Sequence, residues 1–212
     1  NLRTQAVTGI EALVRWRHPE RGTVSPGDFL PVVEKSGLAP ILGEIVIDKA
    51  FAAARHWIDQ GLDFGRISVN ISPSHLSSGL LLEHFKAAME KHNVGPERIT
   101  AEVLESVFLN DNRSGHLAAL RQLFELGVHI ELDDFGSGHA SIVSLLELGP
   151  KRLKIDRQLV LPILTDLPQR RLLTSMQVRP APWPRHRTCT RLVPTLWGKA
   201  VAGHHHLRTP LS

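Results

Sequence analysis

Glu11, Asn70, Glu102, Asp133 and Asp134 are oxygen-bearing side chains that each sit on a short run rich in Ile, Val and Leu. Gathered at one place, their four carboxylates would repel one another strongly, and some would have to stay protonated. Divalent cations resolve that repulsion. An all-oxygen donor set favours Mg²⁺ or Mn²⁺, or Ca²⁺, over metals that seek thiolate. Cys189 is the single cysteine of the 212-residue chain, so neither an internal disulfide nor a thiolate zinc site is available. Asp133 and Asp134 would face opposite sides of a regular strand, but Phe135-Gly136-Ser137-Gly138 is a turn that can end the strand and let both reach one mouth. A pair of metals about 3.5 to 4 Å apart would suit in-line displacement at phosphorus. Arg15 follows Glu11 by four residues on the same strand parity and offers a planar fork to a phosphate. Lys154 among carboxylates could position or polarise a water nucleophile. A lone acidic residue on a strand is ordinarily solvated or ion-paired; several in register on separate strands argue for a site.

The elements that must position these groups are legible in the apolar periods. Strand-like runs span Thr8 to Trp16, Arg66 to Ser72, Ile99 to Leu104, His129 to Asp133 and Arg152 to Asp156. Helical periods fill the gaps, from Ile47 through Ala50, Phe51, Ala54 and Ile58, and from Leu117 through Leu120, Phe124 and, less strictly, Leu123. Gly61 and Gly127 stand where helices stop, and Pro26 and Ser74 near helix starts that lead to about Lys35 and Asn93. Strands alternating with helices imply parallel βα units. Within each strand an ionisable or amide group opposes an apolar parity: Glu11 and Arg15, Asn70, Glu102, Asp133, and Lys154 with Asp156. An open doubly wound sheet would be apolar on both parities. A barrel mouth can be polar, so the sequence predicts a (β/α) barrel with its site at the C-terminal strand ends.

Composition narrows the class. Hydrophobic residues make up 42% and charged residues 22%, which excludes intrinsic disorder of the whole chain. No apolar run is long enough to cross a bilayer, no secretory leader is visible, and a cytoplasmic setting is the expectation. The basic excess is confined to the end of the chain. Residues 1–166 hold 17 Lys and Arg against all 21 acids, while residues 167–212 hold 8 Lys and Arg and no acid. The body is therefore acidic, and no DNA or RNA partner is expected. Pro180, Pro182, Pro184 and Pro194 break the helical windows of the tail, which predicts an irregular 176–212 beside a domain at 1–175. His204-His205-His206 reads there as exposed imidazoles rather than a metal site.

Glu11-Ala12-Leu13-Val14-Arg15-Trp16, Ser68-Val69-Asn70-Ile71-Ser72, Glu102-Val103-Leu104-Glu105-Ser106, Asp133-Asp134-Phe135-Gly136-Ser137-Gly138 and Leu153-Lys154-Ile155-Asp156-Arg157 resemble, in order, the motifs of the EAL domain family of bacterial cyclic di-GMP phosphodiesterases. The resemblance implies a TIM-like barrel that uses one or two Mg²⁺ or Mn²⁺ ions to hydrolyse cyclic di-GMP to linear pGpG. It implies that Glu11, Asn70, Glu102, Asp133 and Asp134 are metal ligands, that Arg15 contacts phosphate and that Lys154 helps place the hydrolytic water. It further matches Glu105 to a carboxylate that steadies the loop after Asp133-Asp134, and sets Asp156 near the substrate. Family members often dimerise, so a homodimer is a possible partner state. The sequence departs from the family after residue 176, where neither an Ala-Glu-Gly-Val-Glu strand nor a following Gln-Gly motif occurs. About five of eight barrel strands are readable, so the expectation is an incomplete barrel, truncated at both ends, with a tail suggestive of a frameshift. Two alternatives to hydrolysis stand beside it: a degenerate domain that binds cyclic di-GMP without cutting it, and a non-functional remnant.

Overall fold

A computed structural model of the chain describes residues 6–109, 113–136 and 152–156, together with 158, 161, 166, 168 and 171 singly. The expectation of an irregular 176–212 lies outside the described residues, as do Ser137, Gly138 and Arg157. Five strands form one parallel sheet in chain order: β1 (Gly9–Ala12), β4 (Arg66–Ile71), β5 (Ile99–Leu104), β6 (His129–Phe135) and β7 (Arg152–Ile155). The sheet curls into a half-barrel, the incomplete TIM-like barrel that strand parity and motif order predict. An antiparallel hairpin, β2 (Trp16–His18) and β3 (Gly22–Val24), stands apart from it. The helices are α1 (Pro26–Lys35), α2 (Ala39–Asp59), α3 (Pro73–Ser77), α4 (Leu81–His92) and α5 (Arg113–Leu126).

Helices cover the outer face because every second strand residue there is apolar. Ile67, Val69 and Ile71 of β4, Ile99, Ala101 and Val103 of β5, and Ile130 and Leu132 of β6 are buried against Phe51 and Ala54 of α2, Phe85 of α4, and Leu120 and Leu123 of α5. Phe51 and Phe85 meet edge to face at 6.1 Å, a geometry that adds to their burial. Each of the Val, Leu, Ile and Phe side chains among them contributes about 1.5 to 3 kcal/mol on leaving water. On α5 the core face runs through Leu117, Leu120 and Leu123, whereas Phe124, the stricter match to the sequence period, is 46% exposed. The chain enters β4 through Gly65 at φ +70°, where a Cβ would lie 2.3 Å from the Thr8 carbonyl oxygen. Only glycine permits that approach, which seats β1 beside β4 with Gly9 opposite Arg66. No described helix is long and apolar enough to cross a membrane.

Two sequence expectations are revised. The run Thr8 to Trp16 is not one strand: β1 ends at Ala12, and Trp16 opens the hairpin. Trp16 packs edge-on against Phe29 of α1 at 5.8 Å, which draws the chain off the sheet and onto that helix. The helical stretch from Ser74 to Asn93 is likewise two helices. Ser72 caps α3 by accepting the His75 backbone N–H, and the Ser78 hydroxyl accepts from the Leu80 N–H. Such serine-to-backbone bonds compete with helix continuation, and α4 begins afresh at Leu81.

Candidate functional site at the mouth of the half-barrel

The inward parity of the sheet is polar where the outward parity is apolar. Ser68 and Asn70 on β4, Thr100 and Glu102 on β5, Glu131 and Asp133 on β6, and Arg152 and Lys154 on β7 share it, with Asn70 in register with Glu102 and Glu102 with Glu131. At its centre is the Lys154 ammonium. It donates a short hydrogen bond to Glu102 Oε2 and lies 3.5 Å from Glu11 Oε2 and 3.6 Å from Asp133 Oδ2. Asn70 Nδ2 donates to Glu11 Oε1 at 3.0 Å. Every strand of the half-barrel thus supplies one group to a single cluster, because a parallel register and a period of two bring the same parity of each strand to one mouth.

Burial sets the electrostatics. Glu102, 2% exposed, has its pKa raised by desolvation, against which the Lys154 ammonium and a hydrogen bond from Ser68 act. Burial also works against the charge of Lys154, but the carboxylates of Glu102, Asp133 and Glu11 outweigh it and hold its pKa above the usual lysine value. Lys154 is therefore a proton donor in hydrogen bonds, and not a base, near neutral pH. Desolvation, then the neighbouring charges of Asp133 and Asp156, push the Asp134 carboxyl upward. Asp134 is left-handed, at φ +53°, and its N–H donates to Asp133 Oδ1 at 2.9 Å. This conformation is uncommon outside glycine, though aspartate tolerates it.

Of the residues singled out from sequence, Glu11, Asn70, Glu102, Asp133 and Lys154 come into direct contact. Asp134 and Asp156 lie at the rim: the Asp156 N–H donates to the Phe135 carbonyl at 3.0 Å, and its Oδ1 accepts from the Gln158 N–H at 2.6 Å. Glu105 stands behind the cluster, buried, accepting from the Gly136 N–H at 2.7 Å. Arg15 stands outside it. The residue is exposed beyond the end of β1, and its guanidinium donates to the neighbouring Val14 carbonyl at 2.8 Å. The parity shared with Glu11 does not reach it, since the strand stops first. Sequence reasoning passed over two inward groups, Ser68, which bonds Glu102, and Glu131, which pairs with Arg152 at 3.1 Å. Both were available to the same parity rule, two residues before Asn70 and Asp133.

The groups of the cluster that could ligate a cation offer oxygen, and three of them, Glu11, Glu102 and Asp133, are carboxylates around the Lys154 ammonium. That chemistry fits a hard divalent cation such as Mg²⁺ or Mn²⁺. Among the described residues, no three His, Cys, Asp or Glu side chains converge as they stand on a point that could hold a metal ion; Lys154 gathers the carboxylates instead.

Comparison with known proteins gives this geometry its relatives. The EAL domain profile matches residues 1–178. The chain is 40% identical over 149 residues to the bifunctional diguanylate cyclase/cyclic di-GMP phosphodiesterase MucR of Pseudomonas aeruginosa, covering 70% of this chain and 22% of that protein. It is 36% identical over 160 residues to the signaling protein YkoW of Bacillus subtilis, covering 76% of this chain and 20% of that protein. The chain therefore spans about a fifth of the length of these relatives. Among solved structures, the PaMucR phosphodiesterase in complex with c-di-GMP superimposes with a TM-score of 0.71 at 36% identity, covering 79% of this chain and 68% of that one. The EAL enzyme Bd1971, with cAMP and cyclic-di-GMP bound, gives 0.74 at 29% identity over 83% of this chain and 48% of that one. With a half-barrel in the same topology and a family profile over most of its length, the chain belongs to the EAL domain family.

Proposed function

We propose that this chain is a cyclic di-GMP phosphodiesterase domain that hydrolyses its substrate to linear pGpG in a reaction dependent on Mg²⁺ or Mn²⁺. The observation that carries the reading is the Lys154 ammonium set among Glu102, Glu11 and Asp133, three carboxylates from three strands, in a chain whose relatives include cyclic di-GMP phosphodiesterases. Glu11, Asn70, Glu102, Asp133 and Asp134 would hold the metal. When bound, a divalent cation supplies positive charge to phosphate oxygens and makes a water more acidic.

The chain's own residues do the rest. Lys154, held protonated by its carboxylate neighbours, orients a water by donating to its oxygen. Asn70 keeps Glu11 turned to the mouth through its amide. Glu105 fixes the Gly136 turn and with it the direction of Asp133 and Asp134. Arg15, exposed beyond the end of β1, would have to swing from its bond to the Val14 carbonyl to meet a substrate phosphate, and Asp156 contributes at the rim. Water then adds across one phosphodiester bond, leaving a 5′ phosphate on one guanosine and a 3′ hydroxyl on the other.

The test follows pGpG formation from cyclic di-GMP with Mg²⁺ or Mn²⁺ present. The Glu11→Ala variant is expected to lower turnover by roughly 100-fold or more, since charge placement around the metal carries much of the catalysis. Turnover undiminished in that variant would place the chemistry elsewhere. A second reading, binding without cleavage, is favoured by the lack of any Ala-Glu-Gly-Val-Glu run or any acid after Asp166. Saturable cyclic di-GMP binding in calorimetry with no pGpG would select it.

A further inference from the structure

β6 and β7 are in register at Glu131 with Arg152 and at Leu132 with Leu153, and again at Phe135 with Ile155. Between these pairs β6 spends two residues, Asp133 and Asp134, where β7 spends one, Lys154. This is a β-bulge, whose extra residue bends the strand and re-aims its side chains. Asp134 takes up the bend with its left-handed backbone. The bulge turns Asp133 to Lys154 and leaves Asp134 at the rim beside Asp133 and Asp156, where a regular strand would send the two aspartates to opposite faces.

The bulge needs holding on both sides. Downstream, the Asp156 N–H bonds the Phe135 carbonyl. Upstream, Glu131 and Arg152 stand opposite each other across the two strands and form an ion pair at 3.1 Å, the Glu131 side chain 6% exposed and that of Arg152 37%. These residues lie two before Asp133 and two before Lys154, on the same inward parity. Arg66, the inward residue at the start of β4, adds a second positive charge near Glu131. A slip of β7 by one residue would reverse every side chain on it. Arg152 would leave Glu131 buried without its partner, and Lys154 would turn away from Glu102 and Asp133. A buried charge left unpaired is strongly unfavourable, so the pair penalises the wrong register more than it stabilises the right one.

We propose that Glu131 and Arg152 are a positioning pair that locks the β6–β7 register at the base of the bulge and thereby sets Lys154 against Asp133 and Glu102. The role of that alignment in hydrolysis rests on the function proposed above; the alignment itself does not. The experiment is amide hydrogen exchange by NMR on the whole chain, comparing the parent with Arg152→Met and Arg152→Lys. Arg152→Met is expected to speed exchange at the Asp156 and Gly136 amides about tenfold or more while the paired amides of β4 and β5 keep their parent rates. Arg152→Lys, which restores a charge, is expected to bring both amides back to within about threefold of the parent. Acceleration shared equally by all five strands, or no acceleration at either amide, overturns the proposal. A parallel assay of pGpG formation is expected to show lower kcat in Arg152→Met with KM for cyclic di-GMP little changed. If the parent itself makes no pGpG, the hydrolytic reading falls, while the exchange rates still decide the role of the pair.

Discussion

Lys154 is the residue on which the mouth is balanced. Its ammonium compensates Glu102, which burial drives toward the neutral acid, and it faces Glu11 and Asp133 besides. Removing the charge has two consequences with different readouts. In Lys154→Met, pGpG formation is expected to fall by about 10² to 10⁴-fold, the range for loss of a proton-handling or water-orienting side chain. The same change leaves Glu102 buried and unpaired, which raises its pKa further above the unfolded value. A carboxyl raised in the folded state is stabilising while protonated, and that stability is lost as pH rises through the folded pKa. The unfolding free energy of Lys154→Met, from urea titrations, should therefore drop between pH 5 and pH 8 relative to the parent, by on the order of 2 kcal/mol. Adding Glu102→Gln should abolish that pH-dependent loss, and a loss that persists in the double variant would assign it to another group.

Among the elements, the short helix α3 is held by imidazoles as well as by the buried Leu76. His75, fully buried, meets His84 of α4 ring to ring, Nε2 to Nδ1 at 3.0 Å. It packs so closely on α2 that a Cβ on Gly43 would lie 2.1 Å from its Nδ1. The groups facing it are His84, with Glu44 of α2 beyond at 3.9 Å, and Glu34 of α1, which bonds Ser74. On the other side the Ser77 hydroxyl meets His116 Nε2 of α5 at 2.7 Å, while His116 Nδ1 bonds the Val107 carbonyl at 3.0 Å. Desolvation, aided by His84, lowers the His75 pKa to about 4 from 6.5. A depressed folded pKa means stability that is present above about 6.5 and lost as pH falls toward 4. Between pH 7.5 and pH 5 the loss is expected to be about 2 kcal/mol. Denaturant midpoints at the two values measure it, and His75→Asn should flatten the difference. A parent curve flat over that interval would show that His75 takes up its proton without disturbing the packing.

For the molecule as a whole, the cluster ties together strands that are far apart in sequence, so a ligand of the cluster should report on global stability. A metal that binds the folded form alone stabilises by mass action, about 2.7 kcal/mol at a hundred times its Kd. Mn²⁺ is therefore expected to raise the melting temperature progressively with concentration, and EDTA to return it to the metal-free value. Glu11→Gln combined with Asp133→Asn should abolish the rise, since both carboxylates face the same ammonium. A rise that survives the double variant would locate the metal away from the mouth.

How far the site is legible without coordinates follows from the period of each element. Strand side chains alternate strictly, so Glu11, Asn70, Glu102, Asp133 and Lys154 could be assigned to one face, and a parallel barrel inferred, from residue types and spacing alone. The outer face was equally plain, because its Ile, Val and Leu residues must meet helices. Arg15 escaped the rule because where a strand ends depends on what the chain finds to pack on, here Trp16 against Phe29. The division of α3 from α4 likewise turned on serine hydroxyls that choose backbone partners only once folded. Glu131 with Arg152, and the bulge that spends Asp133 and Asp134 on β6 against the one residue Lys154 on β7, exist only as a register between strands whose order no local pattern encodes. Local alternation determines which side chains share a face; the pairing of distant strands decides which of them touch, since that choice is made by the whole core at once.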